Sequence, residues 1–358
     1  MRPTYAEIDL GAIRHNVTAF KDLLAPSEVC AVVKADAYGH GDAPVAEAAM
    51  EAGATWLAVA LVEEGIRLRE AGIETAILIL SEPDPRDAVE VAKWGLTPTV
   101  YSLGFIDALA ATGTDFEVHV KVDTGMHRVG IAPKSLATLM TAIGSKPTLQ
   151  VGALWTHLPV ADDDPEYTRL QIEHFDEVVG GYEVPMVHVA NTAGAALFPE
   201  ARRSMSRIGL GIYGLHPCDE TREVLDLRPA MRIVSHVSHV QRLEAGSRPS
   251  YGRVRPLAGE ASVATVPIGY ADGYPRRLTP EGVALIGGER HLLAGTVTMD
   301  QIVVDVGDVD VGIGDEVVLL GRQDDAEITA DEWARSLGTI SYEVVCEIGP
   351  RVPRRYVE

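Results

Sequence analysis

The sequence is poor in the residues that build disulfide scaffolds and metal centres. Its 358 residues include only three cysteines, Cys30, Cys218 and Cys346, which lie far apart and form no CxxC pair. A disulfide framework is therefore excluded, and the thiols are expected to be reduced and mostly buried. Neither HExxH nor another zinc-type spacing of cysteine and histidine occurs, so the sequence predicts no metal site.

Positive charge and long apolar runs are also scarce. Lysine and arginine total 31 against 52 acidic residues, a formal net charge of −21. Such a surface repels phosphate backbones and anionic membranes, so we expect neither nucleic acid nor a membrane as partner. No apolar run approaches the roughly 20 residues that span a bilayer, and the start of the chain has no apolar signal segment. These features predict a cytoplasmic protein.

The rest of the composition is ordinary, with 46% hydrophobic and 23% charged residues. The length allows two domains, or a barrel with an appendage. Short apolar, β-branched runs alternate with stretches of helical spacing over the first two thirds of the chain, and eight such strands predict an α/β fold of the (β/α)8 TIM-barrel type. An open doubly wound sheet is the alternative. The runs are 29–33, 56–61, 76–80, 97–101, 116–122, 149–155, 185–189 and 208–213.

The character of the sequence changes after about Leu227. Strand-like runs separated by glycines replace the helical spacing, with one acidic helical segment at Asp331–Leu337. The sequence thus predicts a barrel domain over residues 1–226 and a mainly β domain over residues 227–358. The predicted strands of this second domain are 231–240, 262–268, 283–286, 295–297, 302–306 and 316–320.

A lysine ends the first apolar run, at Lys34 in AVVKADAYGHG (residues 31–41). Such a lysine ordinarily escapes to solvent. In a barrel, however, the chemistry lies at the carboxyl ends of the strands. A lysine whose charged form is disfavoured by burial can form a Schiff base with an aldehyde cofactor. We therefore expect Lys34 to be reactive, with Tyr38 nearby and glycines that let the backbone approach a ligand.

The eighth run contains GLGIYG (residues 209–214), a formal match to GxGxxG. A dinucleotide-binding fold would place this motif early, at the start of a helix, whereas here it comes late. The loops after strands 7 and 8 of a barrel commonly bind phosphate, and Asn191 and Thr192 follow the seventh run. We expect the Thr192 hydroxyl and the glycine amides to converge on a phosphate; the alternative is that the glycines only relieve packing.

Three basic groups cluster in KVDTGMHRVG (residues 121–130), at the end of the fifth run. In an acidic chain this cluster suits a carboxylate ligand bound by Arg128, although solvated loop charge is the alternative. His157 ends the sixth run. It is either a core histidine or part of a proton relay.

Together these residues resemble the alanine racemase family, two-domain enzymes that use pyridoxal 5'-phosphate (PLP). The resemblance runs along the whole chain, with Thr192 at a position where serine is commoner in the family. The matching segments are ADAYGHG (35–41), DTGM (123–126) with Arg128, Thr156-His157, Asn191-Thr192, Arg207, SYG (250–252), GYADG (269–273), MDQ (299–301), Tyr342-Glu343 and RVPR (351–354).

The resemblance implies a role for each matching residue. Lys34 would bind PLP covalently and act as one of two acid/base groups, and Tyr251 of the partner subunit would be the other. Arg207 would face the pyridine nitrogen. Arg128 and the Met299 backbone would receive the substrate carboxylate, with Lys121, carbamylated in many members, orienting the arginine. The remaining cofactor contacts would be Tyr38, His157, Asn191, Thr192, Gly209, Leu210 and Tyr342. The entrance would be lined by Tyr270, Arg276 and Asp300.

The implied activity is the interconversion of L- and D-alanine by a homodimer with shared sites, supplying D-alanine for peptidoglycan. Two bases are needed because the α-proton leaves from one face and returns on the other. A racemase of broader specificity, acting for instance on serine, is an alternative. A decarboxylase of the same fold would have a carboxylate at the ring nitrogen and a triple-glycine loop, which this chain lacks. A non-catalytic PLP-binding protein would not need the domain that carries Tyr251.

Overall fold

The computed structural model describes residues 3–358, which form two compact units. The barrel unit comprises residues 11–37 and 41–228, and the β unit comprises residues 3–10, Tyr38–His40 and Pro229–Glu358. Within the described residues, no helix has the length and apolar character needed to cross a membrane.

The strands are β1 (Tyr5–Asp9), β2 (Glu28–Val32), β3 (Trp56–Val59), β4 (Ala76–Ile79), β5 (Thr97–Val100), β6 (Phe116–Lys121), β7 (Leu149–Trp155), β8 (Met186–His188), β9 (Met205–Ile208), β10 (Met231–His236), β11 (His239–Leu243), β12 (Ala261–Val266), β13 (Val283–Ile286), β14 (Glu289–Leu292), β15 (Ile302–Gly307), β16 (Glu316–Gln323), β17 (Ala326–Ile328) and β18 (Arg354–Val357). The helices are α1 (Leu10–Leu24), α2 (Lys34–Tyr38), α3 (Asp42–Glu51), α4 (Val62–Glu70), α5 (Ala88–Lys93), α6 (Leu103–Ala111), α7 (Leu136–Gly144), α8 (Pro165–Val179), α9 (Thr192–Leu197), α10 (Glu220–Val224), α11 (Ala330–Leu337) and α12 (Ser341–Cys346).

Eight parallel strands form the barrel, in the order β8-β7-β6-β5-β4-β3-β2-β9. The two ends of this sheet are joined by backbone hydrogen bonds, from Ser204 N to Val187 O (3.0 Å) and from Arg207 N to Ala190 O (3.0 Å). The TIM-type barrel predicted from the alternation is therefore confirmed, and the open-sheet alternative is excluded. Because all strands run the same way, their carboxyl ends meet at one rim.

Helix α8 illustrates how local sequence builds the outer layer. The Asp164 side chain accepts the Tyr167 amide and Pro165 occupies the first turn, which together start the helix. Thr168, Ile172 and Phe175 recur at helical spacing and are buried. This stripe packs the helix inward, and the charged and polar residues Arg169, Glu173 and His174 between its members are exposed.

The eighth strand of the barrel lies a few residues earlier in the chain than the sequence predicts. The predicted run 208–213 contains only the last residue of β9, and Leu210–Tyr213 form a 3-10 turn instead. Gly209, at φ −99° and ψ −97°, ends the strand. The run is apolar because the turn is buried: a Cβ on Gly211 would lie 2.4 Å from the Phe20 ring.

The β unit contains two sheets. One has the order β14-β13-β16-β10-β1-β18 with β17 paired to β16, and the other has the order β11-β12-β15. Strand β1 pairs antiparallel with β10 and parallel with β18. The predicted assignment of all of residues 1–226 to the barrel therefore needs correction at its start, because long-range pairing places the first strand in the β unit.

Two predicted strands of the second domain also differ. The run 231–240 forms two strands in different sheets, because the chain turns at Val237 and Ser238, whose amides bond to Asp315 O and Thr265 O. The run 295–297 is not a strand; there, Gly295 packs against the Pro249 carbonyl. The acidic helix is present as α11, capped by the Thr329 side chain.

Candidate active site

Lys34 lies two residues beyond the end of the buried strand β2, and a strained turn comes next. Ala35, Asp36, Ala37 and Tyr38 have φ values of 51–54°, a left-handed turn that costs roughly 1–2 kcal/mol per L-residue. Hydrogen bonds from Ala37 N to Val33 O (2.9 Å) and from Ala35 N to the Glu64 carboxylate (2.7 Å) hold it in place. The backbone around Lys34 is thus fixed by its surroundings, not by local preference.

The residues that follow β8 and β9 form a cradle in which one hydroxyl meets several backbone amides. Thr192 is buried, and its hydroxyl accepts hydrogen bonds from Gly209 N (3.1 Å) and Gly211 N (3.4 Å). Asn191 caps α9 with its side-chain oxygen and donates to Leu158 O (3.1 Å), so both ends of its amide bind backbone. The Thr192 hydroxyl and the glycine amides therefore lie together at this rim, and their binding of a phosphate stays a prediction.

Arg207 is a buried cation on β9, 3% exposed. Its guanidinium donates to Thr156 O (2.8 Å), Val189 O (3.0 Å) and His188 Nδ1 (2.7 Å). Burial lowers the pKa of Arg207 to about 10, which leaves it charged at neutral pH. Because β9 pairs with β2, Arg207, Gly209 and Lys34 lie at or near the ends of neighbouring strands.

A chain of histidines continues from Arg207 into the barrel. Arginine can only donate, so His188 Nδ1 accepts; its proton is then on Nε2, which faces His119 Nδ1 at 3.1 Å. Burial, followed by Arg207, lowers the pKa of both histidines, that of His119 to about 3, so both stay neutral.

Sequence reasoning missed both histidines. A signal for His119 was available: in FEVHVK (residues 116–121) it lies two residues before Lys121, so a strand puts both side chains on one face.

Lys121 ends β6 and is as buried as Arg207, with its ammonium nitrogen 4.2 Å from the centroid of the Trp155 ring. Burial, followed by the charges of Arg207 and Arg128, lowers its pKa to about 7. A large fraction of the amine is therefore neutral near neutral pH.

The loop after Lys121 carries Arg128, whose side chain is exposed. Asp123 organises this loop by accepting the amides of Gly125 (3.2 Å) and His127 (2.9 Å). Gln171, on α8, joins it to the next loop by donating to Thr124 Oγ1 (3.2 Å) and to His157 O (3.0 Å).

His157 Nδ1 lies 3.4 Å from the Arg207 guanidinium and therefore acts as an acceptor, which leaves the proton on Nε2. Burial, then Arg207, keeps the pKa of His157 well below its usual value.

In the β unit, Tyr38 and Tyr342 face each other with ring centroids 6.1 Å apart. Gly39 permits close backbone packing here, because a Cβ would lie 2.5 Å from Val345 O. Arg354 donates to Gly39 O (2.8 Å) and to Gly349 O (2.7 Å). Burial raises the pKa of Tyr38, so its hydroxyl stays protonated.

Tyr251 is 74% exposed, yet its backbone is firmly held. Thr296 Oγ1 donates to Tyr251 O (2.6 Å), and Ser250 Oγ donates to Thr296 O (2.6 Å). Ser250 itself adopts φ 67°, a conformation that needs such support. The side chain is thus presented outward from a rigid turn.

Met299, Tyr270 and Asp300 lie together in the β unit. Ala271 N donates to Met299 O (3.0 Å), and Arg351 binds Asp300 (2.6 Å) and the fully buried Asp272 (3.3 Å). Met299 and Tyr270 are exposed, as is Arg276 on its own 3-10 turn.

The barrel rim therefore combines a lysine, a buried guanidinium and a hydroxyl with glycine amides, a donor set that fits an aldehyde cofactor bearing a phosphate and a ring nitrogen. Within residues 3–358 no group of histidine, cysteine, aspartate and glutamate is arranged to hold a metal ion.

The comparisons with known proteins agree along the whole chain. The family models for the alanine racemase N-terminal and C-terminal domains match residues 8–217 and 230–356. An alanine racemase of Symbiobacterium thermophilum is 44% identical, over 99% of this chain and 97% of that protein. One of Desulfovibrio desulfuricans is 41% identical, over 100% of this chain and 99% of that protein.

Solved structures give the same result. The alanine racemase of Bacillus anthracis with bound L-Ala-P superposes with a TM-score of 0.94 at 37% identity, covering 100% of this chain and 96% of that one. The enzyme from D-cycloserine-producing Streptomyces lavendulae has a TM-score of 0.93 at 36% identity, with 100% and 98% covered. The family models, the relatives and the solved structures together show that the chain belongs to the alanine racemase family.

Proposed function

We propose that this chain interconverts L- and D-alanine by a two-base mechanism with PLP. The observation that carries the proposal is the convergence of Lys34, Arg207 and the Thr192 cradle at neighbouring strand ends of the barrel. PLP, when bound, supplies an electron-withdrawing system that acidifies the α-proton of an attached amino acid.

The barrel unit offers this cofactor one contact for each of its parts. Lys34 Nζ would bind the aldehyde carbon, the Thr192 hydroxyl with the Gly209 and Leu210 amides would bind the phosphate, and Arg207 would face the ring nitrogen. Since Arg207 stays charged and can only donate, it would keep that nitrogen unprotonated. The family resemblance adds Tyr38, Tyr342, Asn191 and His157 as cofactor contacts.

Proton transfer would use one base on each face of the substrate. Lys34 Nζ would serve one face and the phenolic oxygen of Tyr251 of the partner subunit the other. A tyrosine normally titrates near pH 10 and needs a donor that favours its phenolate. His157, neutral with its proton on Nε2, is suited to donate that hydrogen bond.

Arg128 and the Met299 backbone would hold the substrate carboxylate. Neutral Lys121 amine is the species that reacts with CO2, so its lowered pKa supports a carbamate at this position. A carbamate would place negative charge near Arg207 and Arg128 and orient the latter. Tyr270, Arg276 and Asp300 would line the entrance.

We further propose a homodimer in which each subunit completes its partner's site, since exposed Tyr251 has a rigid backbone but no buried surroundings of its own. A cytoplasmic location is proposed because the sequence has only three cysteines and no CxxC pair, a usage typical of proteins in a reducing compartment. There the enzyme would supply D-alanine for the cell wall.

Chiral chromatography of the products from L-alanine and L-serine, with and without added PLP, tests the activity and its specificity. We expect PLP-dependent D-alanine formation, with serine turned over more slowly. A substrate side chain that is larger by one or two groups is discriminated by only about 1–3 kcal/mol of transition-state binding. Serine, which is slightly larger than alanine, is therefore the most informative competitor. Absence of D-alanine from a PLP-loaded protein would reject the proposal.

A further inference from the structure

Glu64 is a buried carboxylate that binds backbone amides on two different strand ends. It lies in the first turn of α4 and is 6% exposed. Its Oε2 accepts Ala60 N (2.7 Å) and Leu61 N (3.1 Å), which follow β3 and start its own helix. Its Oε1 accepts Ala35 N (2.7 Å), which follows β2. Capping α4 would need only the first pair of bonds.

The bond to Ala35 falls at the residue after Lys34, where the left-handed turn begins. Four consecutive L-residues with positive φ do not hold this conformation by themselves. Gly41 N to Asp36 O (2.9 Å) and Asp42 N to Asp36 Oδ1 (3.0 Å) close the far end of the turn. Glu64 holds the near end, next to Lys34.

We propose that Glu64 is a positioning residue for Lys34. By tying the Ala35 amide to the start of α4, its carboxylate fixes the peptide that follows the lysine and so the direction in which the amine leaves the strand end. The inference rests on the proposed role of Lys34. It adds a residue that acts only through the backbone of the reactive lysine.

Glu82 is a matched control in the same barrel. It follows β4, and its carboxylate accepts Tyr101 N and Ser102 N (2.8 Å) after β5, so it also links two neighbouring strand ends through backbone amides. No residue with a proposed role in PLP or substrate binding follows either of those two strands directly. Loss of Glu82 therefore reports the structural cost of breaking such a link.

Glutamine keeps the size of the side chain but replaces one accepting oxygen with an NH2 group, which cannot accept an amide proton. In Glu64→Gln we expect the rate at which the apoenzyme captures PLP covalently to fall about ten-fold or more. Absorbance and borohydride reduction onto Lys34 measure this rate. Hydrogen exchange of the peptide covering residues 33–41 should accelerate. kcat should fall, with the KM for alanine within about two-fold. Glu82→Gln should capture PLP within about two-fold of the wild-type rate.

A rescue variant separates positioning from general destabilisation. Ala35 is exposed, and glycine adopts positive φ freely, so Ala35→Gly should restore several-fold of the lost capture rate in the Glu64→Gln background. Equal capture rates in Glu64→Gln and Glu82→Gln, or no rescue, would overturn the inference.

If Glu64→Gln does not fold, hydrogen exchange of the wild-type protein tests the proposal instead. A protected Ala35 amide supports the proposal, and a rapidly exchanging Ala35 amide overturns it. A wild-type protein that captures no PLP at Lys34 overturns the proposed function itself.

Discussion

The two units treat their candidate site residues in opposite ways. In the barrel unit, Arg207 and Lys121 are each 3% exposed and are enclosed by neighbours that set their pKa values. In the β unit, Tyr251, Met299 and Tyr270 are 74%, 50% and 43% exposed, on backbones that hydrogen bonds hold in place. The protonation states of the buried groups are set by neighbours within their own unit. The exposed groups on rigid turns have their backbones held in place, but their side chains are left to contact another molecule or subunit. The barrel unit thus resembles a preorganised cofactor site, and the β unit a presenting surface.

The largest effect is expected at Lys34, just beyond the end of β2. Lys34→Ala removes the amine that would bind PLP and one of the two bases, so racemisation should fall by at least about 10³-fold. Lys93→Ala, at an exposed lysine of α5, is the control and should retain full activity. Chiral product analysis measures the rates. A Lys34→Ala enzyme that racemises at the wild-type rate would remove the barrel rim from the mechanism.

Subunit mixing tests whether the exposed tyrosine serves another copy of the chain. Tyr251→Phe should lower racemisation about 10²–10³-fold by itself. Mixed in equal amounts with Lys34→Ala, it should restore about a quarter of wild-type activity, because half of the dimers are mixed and one of their two sites has both native residues. No recovery after verified subunit exchange would place Tyr251 in the site of its own chain.

A smaller effect is expected in the cradle of the barrel unit. Thr192→Val keeps the side-chain shape but removes the hydroxyl that accepts the Gly209 and Gly211 amides, so affinity for PLP should fall about ten-fold. Thr141→Val, whose hydroxyl only bonds within α7, is the control. PLP titration of the apoenzymes measures both. Equal affinities would show that the cradle binds something other than the cofactor phosphate.

The smallest effect concerns pH and the buried amine. Lys121 has a pKa of about 7 in the fold against an ordinary value of 10.5, so between these values the unfolded chain binds more protons than the native one. The free energy of unfolding should therefore rise with pH between these two values and level off above the higher one. We expect Tm to rise by a few degrees over the same pH range. Lys121→Met should flatten the rise. Thermal scans in CO2-free buffer measure the slopes, and equal slopes would contradict the pKa shift.

The sequence predicts the barrel better than the β unit, for a physical reason. Each barrel strand is a short apolar run followed by its own helix, so the pattern is contained within about 25 residues. In the β unit, β1 pairs with β10 and β18, which lie hundreds of residues further along the chain. Runs such as 231–240 carry no local sign that the chain changes sheet within them.

The site divides in the same way. Lys34, Thr192 and Arg128 were predictable because strand ends and loop motifs are local features of the sequence. His188 and Glu64 were not, because they act on residues far along the chain: His188 accepts from Arg207, and Glu64 accepts from the Ala35 amide 29 positions away. An isolated histidine or a helical glutamate looks like many others in the sequence.

The sequence by itself therefore determined the number of barrel strands, the types of the candidate site residues and their order at the rim, since hydrophobic periodicity and strand-end placement are local features of single segments. Only the tertiary structure decided the protonation states and directions of those residues. The lowered pKa of Lys121, the tautomer of His157 and the left-handed turn after Lys34 all arise from burial and hydrogen bonds between separate strands. Such energies depend on distance and solvent exclusion, which exist only once the barrel has closed.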